Sequence, residues 1–281
     1  SAMNESAISL RSASFSWPSG ERALSDVSMD LPQGCRSIVV GANGAGKTCL
    51  LRIVGGMYHY EGSVKVFGKE AYVPNRLGNS GSVEIICGTN IWRQGECTIV
   101  GERWQPRGDC SVRSMLDLLS DWDRDRMQMI VDKFHIDLNW RVNQLSDGKK
   151  RRVQLLLAFL KPSAILLLDE VTTDLDVLAR QSLLQFLQEE NEKRSVTILF
   201  STHIFDGLEE WGTHVTYIKH GTLCFNKPMD QIEELAVLRQ QEYLTPLFEF
   251  VCRRVHEDAA EYRRKRAEPR EQCLTGPVEV N

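Results

Sequence analysis

The chain has 281 residues, of which 42% are hydrophobic and 26% are charged, and its net charge is −4 at pH 7. This size and balance are typical of a folded, soluble protein with a buried core. The acidic balance gives no global electrostatic basis for direct nucleic-acid binding, and leaves only local patches open. The apolar runs at 153–160 and 164–168 are too short to cross a membrane, so we expect any membrane role to require a separate chain.

The first residues and the cysteines bear on processing and compartment. Ser1 and Ala2 precede Met3 as a cloning remnant would, and we expect residues 1–6 to form a disordered N-terminus without a secretory signal. Eight cysteines are scattered with no C-x-x-C spacing. The sequence therefore predicts neither a zinc site nor a disulfide framework, and favours a reducing cytosolic or nuclear compartment.

Hydrophobic patterns predict the elements in chain order. Residues 7–15 and 23–31 alternate as half-buried antiparallel strands do, and 61–73 resembles a further hairpin. Residues 76–98, rich in Gly, Asn and Ser, predict a loop or insertion. The other predicted elements are strand 37–40, helix 47–55, strand 97–101, helical spacing over 111–142, helix 147–160, strand 164–169, helix 177–193, strand 195–200, helix 204–210, strands 214–218 and 222–225, and a helical pattern from about 228 to 266.

This alternation of strands and helices predicts a mainly parallel α/β core over residues 7–228, with a helical subdomain at about 106–160. Residues 229–281 are expected to form a helical C-terminal extension with a basic tail. Residues 252–271 carry seven Lys or Arg against five Asp or Glu. Two interpretations stay open for this stretch: a solvated helix with a frayed end, or a basic surface that docks a partner or RNA.

The clearest motif is GANGAGKT at residues 41–48, which matches the phosphate-loop pattern at every required position. Its glycines let backbone amides close around phosphate oxygens, and the following helix directs its positive end at the same anion. Lys47 is expected to neutralise the β- and γ-phosphates, and the Thr48 hydroxyl to bind Mg2+. The predicted nucleotide-binding residues of the loop are Gly41, Ala42, Asn43, Gly44, Ala45, Gly46, Lys47 and Thr48.

A second motif, ILLLDE at residues 165–170, places two acids directly after four apolar residues. Acids in this position are costly unless they lie at the carboxyl end of a strand and face a polar site. We expect Asp169 to orient Mg2+ and its waters, and Glu170 to polarise the water that attacks the γ-phosphate. Together with the phosphate loop, this motif predicts a nucleotide-binding fold that uses Mg2+, but many such folds share these two elements, so they do not name the family.

The stretch LSDGKKRR at residues 145–152 resembles the signature motif of ATP-binding-cassette (ABC) ATPases, and it precedes a helix and the acidic strand as in that family. Taken alone, it equally predicts a helix start that Ser146 caps. The resemblance implies that the helix end contacts the γ-phosphate held by the opposite subunit of a dimer. The residues concerned are Leu145, Ser146, Asp147, Gly148 and Lys149.

Three further elements look like parts of the same family. VTTDLD at residues 171–176 is similar to the D-loop, with Asp176 as its aspartate. His203 looks like the switch histidine, which would contact the γ-phosphate and hold water and Glu170 in register. Trp17 occupies the position of the adenine-stacking aromatic residue. Taken singly, His203 and Trp17 are more typical of structural residues.

The resemblance covers residues 7–228 and implies an ABC-type fold: a mainly parallel core sheet, an antiparallel β-subdomain and a helical signature subdomain. The stretches LSDGKKRRVQL, LLLDEVTTDLDVLAR and THIFDGLEEW look similar to stand-alone soluble eukaryotic members. Those are plant class I ABC proteins and a fungal protein associated with the CCR4–NOT complex. This similarity implies an intracellular regulatory ATPase without fused transmembrane segments, in the cytoplasm and also the nucleus.

The sequence departs from the family pattern at three places. Lys149 stands where the signature usually has Gln, and Cys49, a weaker hydrogen-bond partner, stands where Ser or Thr lies beside the α-phosphate. The family's metal-sensing Gln of the Q-loop should follow strand 97–101. Glu102 has the better spacing and Gln105 the expected residue type, and either would lie near Mg2+; Asn75 mimics the strand-then-Gln pattern.

These motifs predict hydrolysis of MgATP by a head-to-tail homodimer with two composite sites. We expect the protein to regulate or remodel an intracellular complex in transcription or mRNA metabolism. Two alternatives stay open: the ATPase subunit of a transporter with separate transmembrane chains, and a non-hydrolysing switch that dimerises on ATP. One subunit is expected to supply Lys47, Thr48, Asp169, Glu170 and His203, and the other Ser146 and Gly148.

Overall fold

The computed structural model describes residues 6–72, 83–85, 89, 91–106, 108–119 and 121–267, with the backbone alone for residues 83–85, 262 and 265–267. The disordered N-terminus predicted for residues 1–6 is wrong at Ser6, which begins β1. The rest of that prediction, Asn75 and the predicted tail beyond Ala267 lie outside these ranges. In chain order the elements are β1 (Ser6–Ser16), β2 (Arg22–Pro32), β3 (Arg36–Val40), α1 (Lys47–Val54), β4 (Glu61–Val66), β5 (Lys69–Glu70), β6 (Val83–Ile85), β7 (Ile91–Gln94), β8 (Cys97–Val100), α2 (Val112–Asp117), α3 (Arg124–Lys133), α4 (Asp147–Phe159), β9 (Ile165–Asp169), α5 (Val177–Arg194), β10 (Thr197–Ser201), α6 (Leu208–Trp211), β11 (His214–Lys219), β12 (Thr222–Pro228), α7 (Glu233–Gln240) and α8 (Pro246–Ala267).

The larger sheet has, within the described ranges, the strand order β12-β11-β3-β10-β9-β8-β7-β6. Its five central strands are parallel, and β12, β7 and β6 add antiparallel edges. The predicted mainly parallel core is therefore confirmed. In register, Ser201 of β10 pairs with Val39 of β3 and with Asp169 of β9. The carboxyl ends of these three strands thus meet at one edge of the sheet, where α/β folds bind their ligands.

The second sheet is the antiparallel subdomain, in which the described strands have the order β2-β1-β4-β5. β1 pairs antiparallel with both β2 and β4, which confirms the alternation predicted for residues 7–15 and 23–31. Helix α1 lies between this sheet and the larger one. Leu50 and Leu51 of the helix share a hydrophobic cluster with Leu10 of β1 and Leu167 of β9.

The other face of the larger sheet packs against α4 and α5. Successive residues of β3 divide between the faces, because strand side chains alternate. Ile38 and Val40 join the cluster that includes Phe159 and Phe186, whereas Val39 joins the cluster around α1. The apolar residues of β3 and the run at 164–168 therefore belong to strands that are buried on both faces, whereas the run at 153–160 lies at the end of α4.

The loop or insertion predicted over residues 76–98 is wrong in part. β6 and β7 form antiparallel strands that extend the larger sheet beyond β8. The alternation in β7 is hidden in the sequence because the inward-facing Arg93 is charged. This side chain is 5% exposed, and its guanidinium donates to the backbone carbonyls of Ala158, at 2.7 Å, and Lys161, at 3.2 Å.

Two helix predictions are also wrong in extent. Over 111–142 the chain forms two short helices, α2 and α3, started by the capping side chains of Ser111 and Asp123. After Phe134 it leaves the helical conformation, and Ser111 pairs with Arg141 in an isolated antiparallel bridge. The helix predicted at 204–210 is confined to α6, because Gly207 precedes it with a left-handed φ of 77°.

The helical pattern predicted beyond residue 228 corresponds to α7 and α8. Leu247 and Phe250 of α8 are buried in the same hydrophobic cluster as the core strands. Asp258 accepts a hydrogen bond from the Tyr217 hydroxyl and pairs with Lys219 at 2.9 Å. The 228/229 boundary stays a prediction, although the two helices share the core of the sheet. No helix within the described ranges has the length and apolar content of a membrane span.

Candidate functional site

The phosphate loop connects β3 to α1 as predicted. Gly46 precedes the helix with φ 108°, and a Cβ there would lie 2.8 Å from Leu24 Cδ2, so the turn requires glycine. Lys47, only 7% exposed, donates from Nζ to the carbonyl oxygens of Gly41, at 2.9 Å, and Ala42, at 3.1 Å. Burial lowers the pKa of Lys47, while the charges of Glu170 and Asp169 oppose that shift. The ammonium is thus held within the loop and near both acids.

The two acids lie at the carboxyl end of β9. Glu170 has φ 54°, in the left-handed region that non-glycine residues seldom adopt. Its backbone N–H donates to the carbonyl of Ser201 at 2.9 Å, which fixes the turn against β10. Asp169 Oδ1 and Glu170 Oε1 are buried, and neither meets a hydrogen-bond partner in the described part of the chain. Such oxygens are costly to bury without a partner, and they fit a site for a cation or a polar ligand.

The predicted switch histidine follows β10. His203 Nε2 lies 3.2 Å from Glu170 Oε1, which is within ion-pair distance but lacks hydrogen-bond geometry. Both side chains line an open cleft of about 710 Å3 that also contains the phosphate loop. The described residues lining it are Trp17, Glu21, Arg22, Ala23, Asn43, Gly44, Ala45, Gly46, Lys47, Thr48, Cys49, Glu170, Thr173, His203, His220 and Gly221.

Trp17 and Cys49 also border this cleft. The indole of Trp17 packs edge-on against Phe15, at 5.1 Å between ring centroids, and against Tyr58, at 5.7 Å. Two aromatic neighbours therefore hold its ring at the cleft wall. Burial raises the pKa of the Cys49 thiol, so this side chain is neutral at physiological pH.

The chemistry of the donors fits MgATP. Thr48 and Asp169 offer a hydroxyl and an unpartnered carboxylate oxygen, the hard oxygen ligands that Mg2+ prefers. Lys47 supplies a buried cation beside them. A triphosphate would therefore meet positive charge in the loop, while its metal ion would meet oxygen at the strand end.

The signature residues form a second surface, separate from the cleft. Ser146 caps α4 by accepting from the Lys149 N–H at 3.5 Å, as the helix-start interpretation predicts. Gly148 is packed closely, since a Cβ there would lie 2.9 Å from the carbonyl oxygen of Asp174. The Lys149 ammonium lies 4.7 Å from the centroid of the Trp140 ring. Of the described residues that line the cleft, none belongs to 145–149.

The predicted D-loop aspartate has a local role. Asp176 caps α5 by accepting from the Ala179 N–H at 2.8 Å, and it pairs with Arg152 of the signature helix. Directly after it, Val177 and Leu178 are each 70% exposed. Two adjacent exposed aliphatic side chains offer apolar area for a protein contact.

The sequence interpretation missed a buried network behind the signature motif. Arg151, 3% exposed, donates to the carbonyl of Gly101 at 3.0 Å, to Gln154 Oε1 at 2.6 Å and to Asp174 Oδ2 at 3.1 Å. Gln154 in turn donates to the carbonyl of Glu102 at 3.0 Å. The network thus joins the segment after β8, the signature helix and the D-loop. The signal for this network in the sequence is the spacing of Arg151 and Gln154, two polar residues three positions apart on the buried side of α4.

The Q-loop candidates differ in position. Gly101 abuts Asp169, since a Cβ on Gly101 would lie 2.8 Å from Asp169 Cβ. Glu102 lines a small cleft of about 220 Å3 together with Asp169 and Arg52, and it pairs with Arg52. Gln105 is exposed and does not line that cleft. Because Glu102 lines the same cleft as Asp169, its position favours Glu102 over Gln105 as the Q-loop residue.

Comparisons with known proteins agree with this arrangement. Residues 24–173 match the family model described as ABC transporter. The chain is 40% identical over 218 residues to ABC transporter I family member 20 of Arabidopsis thaliana, spanning 77% of this chain but only 66% of that protein. It is 38% identical over 234 residues to CCR4-associated factor 16 of Saccharomyces cerevisiae, spanning 80% and 79%.

A solved structure also resembles the fold. It is a dimeric post-hydrolysis state of the ATP-binding cassette MJ0796 bound to ADP and Pi, with a TM-score of 0.64, 20% identity, and coverage of 79% of this chain and 98% of that one. At that identity the likeness concerns the fold alone. The matched family model spans the phosphate loop, the signature motif and the acidic strand. Together with the two relatives it shows that this chain belongs to the ABC transporter family.

Proposed function

We propose that the chain binds and hydrolyses MgATP as a head-to-tail homodimer. The observation that carries this proposal is the single cleft that gathers the phosphate loop, Glu170, His203 and Trp17. Together these residues supply the positioning and the charge neutralisation that phosphoryl transfer to water requires, and the reaction needs no covalent catalysis.

Within the cleft, Lys47 and the amides of the loop hold the β- and γ-phosphates, while Trp17 stacks on the adenine. Thr48 and Asp169 would hold Mg2+, which would neutralise phosphate charge when it is bound. Glu102 lines the same small cleft as Asp169 and is therefore placed to respond to the bound metal ion. Glu170 accepts the proton of the attacking water. His203, 3.2 Å from that carboxylate, contacts the γ-phosphate and keeps the water and Glu170 aligned.

The signature surface completes the site of the second copy. Helix α4 begins at Ser146 with a positive dipole end, and this end meets the γ-phosphate held by the partner. Lys149 adds an exposed positive charge at the same helix start. Val177 and Leu178, exposed beside Asp176, supply apolar area to the contact between copies. A two-fold arrangement then makes two equivalent composite sites.

We further propose that turnover regulates or remodels an intracellular assembly in the cytoplasm and the nucleus, in transcription or mRNA metabolism. The name of the yeast relative, CCR4-associated factor 16, supports this choice. The test is affinity purification of the Glu170→Gln protein from cells. Recovery of a multi-protein assembly without membrane-spanning chains is expected, whereas recovery of polytopic membrane proteins would favour the transporter alternative.

The hydrolysis proposal is tested by Glu170→Gln in a phosphate-release assay with purified protein. Turnover should fall by about 10²–10⁴-fold, the usual contribution of a general base, while ATP binding measured by calorimetry is retained. Glu233→Gln, a change of the same chemistry on the exposed start of α7, is the control. Wild-type turnover in Glu170→Gln, or absence of phosphate release from the unaltered protein, would overturn the assignment.

The dimer is tested separately by sedimentation of the Glu170→Gln protein. With MgATP it should sediment as two copies, and without nucleotide as one. Leu178→Asp should abolish the ATP-dependent dimer while leaving ATP binding to single copies intact. A Leu178→Asp protein that still dimerises on MgATP contradicts the proposed contact surface.

A further inference from the structure

Two buried threonine hydroxyls join the segments that carry Glu170 and His203. Thr172 Oγ1 and Thr202 Oγ1 lie 3.0 Å apart, although 30 residues separate them along the chain. Their side chains are 2% and 1% exposed. Thr172 lies two residues after Glu170, and Thr202 directly precedes His203. The hydrogen bond between these hydroxyls therefore connects the segment that carries Glu170 to the segment that carries His203.

Thr202 also shapes the chain around the histidine. Its hydroxyl accepts from the Ile204 N–H at 3.1 Å, which closes a side-chain turn of the type that Ser and Thr favour. His203 is the residue in the middle of that turn. Thr202 Oγ1 thus ties the residue before the histidine to the residue after it, and the same oxygen contacts Thr172.

The segment on the other side depends on similar local bonds. Glu170 has φ 54°, an unfavourable conformation for a non-glycine residue. Thr173 Oγ1 donates to the Glu170 carbonyl at 3.0 Å, and the Thr173 N–H approaches it at 3.4 Å. These bonds hold the turn itself, whereas the Thr172 hydroxyl relates the turn to the histidine segment.

We propose that Thr172 and Thr202 act as positioning residues that keep Glu170 and His203 in register for hydrolysis, an inference that rests on the proposed ATPase function. Neither hydroxyl touches the reacting atoms. The pair sets the relative placement of two side chains whose atoms lie 3.2 Å apart. Displacements of about 1 Å in an active site reduce rates by about 10²-fold, so the loss of this bond should reduce turnover.

Thr172→Val is the main test, because it removes the hydroxyl at nearly constant volume and leaves Thr202 to accept from Ile204. We expect kcat to fall about ten- to a hundred-fold, with the Kd for ATP unchanged. Thr172→Ser, which keeps the hydroxyl, should restore most of the turnover. Thr172→Ala is the second variant, to be used if the valine protein does not fold.

The chain offers a matched control in another buried hydroxyl pair. Thr98 Oγ1 lies 2.7 Å from Ser163 Oγ, and these side chains are 0% and 6% exposed, in β8 and the loop before β9. Thr98→Val should lower the free energy of unfolding about as much as Thr172→Val does, yet leave kcat unchanged. Equal kcat values for the two valine variants would reduce the Thr172 pair to a structural role and overturn the proposal.

A second background separates this inference from the function on which it rests. If the pair acts through the dyad, Thr172→Val should cost much less in a His203→Ala protein than in the wild type. An undiminished loss there contradicts a positioning role. Should Glu170→Gln and His203→Ala both turn over ATP normally, the proposed function fails first. Should they be impaired while Thr172→Val is not, only the threonine inference fails.

Discussion

The two surfaces of the proposed composite site are built in opposite ways. On the cleft side, Glu170 lines the main cleft and Asp169, directly before it, lines the small cleft beside Glu102. Their atoms Glu170 Oε1 and Asp169 Oδ1 are buried and lack hydrogen-bond partners within the described part of the chain. On the signature side, the side chains of Arg151 and Asp174 are 3% and 8% exposed. They bond to each other, and Arg151 bonds as well to Gln154 and Gly101.

This difference indicates that the cleft side is built to bind a ligand, whereas the signature side is built to join structural elements. Unpartnered oxygens lose solvation on burial, and a ligand that satisfies them gains affinity. A fully satisfied network recovers little from a ligand, but it ties the elements it joins into one body. The cleft therefore suits the binding of a ligand, whereas the network bonds the signature helix, the D-loop and the segment at Glu102 to one another.

The largest effect is expected on the network side. Arg151→Met leaves Asp174 buried, with the exposed Arg103 as its remaining ionic partner among the described residues, and removing one member of a buried pair costs about 3–5 kcal/mol. Chemical denaturation would measure this loss. Because an apolar pair removes both charges, Arg151→Met with Asp174→Leu should be more stable than Arg151→Met alone. A double variant that is less stable than Arg151→Met would show that the network is not the reason for the loss.

On the cleft side, Lys47→Ala should weaken ATP binding rather than folding. Loss of hydrogen bonds to charged groups costs about 1.5–3 kcal/mol, which corresponds to an increase in the Kd for ATP of about 10- to 150-fold. Calorimetry would measure the Kd, and Lys65→Ala, on the exposed side of β4, is the control. Unchanged affinity in Lys47→Ala would remove the phosphate-loop lysine from the proposed site.

A smaller effect on the same side is expected from Trp17. Stacking of a base on an aromatic ring contributes about 1–3 kcal/mol, so Trp17→Ala should raise the Kd for ATP, whereas Trp17→Phe should raise it less. Binding of inorganic tripolyphosphate serves as the comparison, since it has no base and should be unaffected. Equal weakening of both ligands would indicate a packing role with Phe15 and Tyr58.

The smallest effect is expected at the start of the signature helix. Lys149→Gln removes an exposed cation–π contact with Trp140, which contributes about 0.5–1 kcal/mol. Trp140→Leu should remove the same contact, so the two changes combined should lose less than the sum of their separate effects on the free energy of unfolding. Strict additivity in the double-variant cycle would show that Lys149 and Trp140 do not interact.

Much of the fold could be predicted from the sequence, for identifiable reasons. The strands around Val39 and Leu167 are buried on both faces and carry apolar runs, and GANGAGKT has few structural alternatives. β7 escaped prediction because the inward-facing Arg93 finds its partners in carbonyl groups far along the chain. Tertiary contacts of that kind override local pattern.

The candidate site likewise contains residues that local motifs predict and residues that only tertiary contacts bring together. Lys47, Glu170 and His203 stand in local motifs, so their meeting in one cleft could be predicted. Arg151 could not, because its contacts with Gly101 and Asp174 are 50 and 23 residues away and follow only from the packing of α4. The contact of Thr172 with Thr202 likewise depends on the register of β9 and β10.

The docking of α8 limits how the far end of the chain can be dissected. Glu209 of α6, six residues after His203, accepts from Arg239 at 2.7 Å and from the Leu247 N–H at 2.8 Å, while Phe250 fills the core. A deletion beginning near residue 229 would expose apolar surface and release the segment that follows the histidine. Loss of activity in such a shortened protein would reflect damage to the cassette. A trial of the basic stretch as a binding element should therefore replace exposed basic residues such as Arg263 and Arg264 and leave α8 in place.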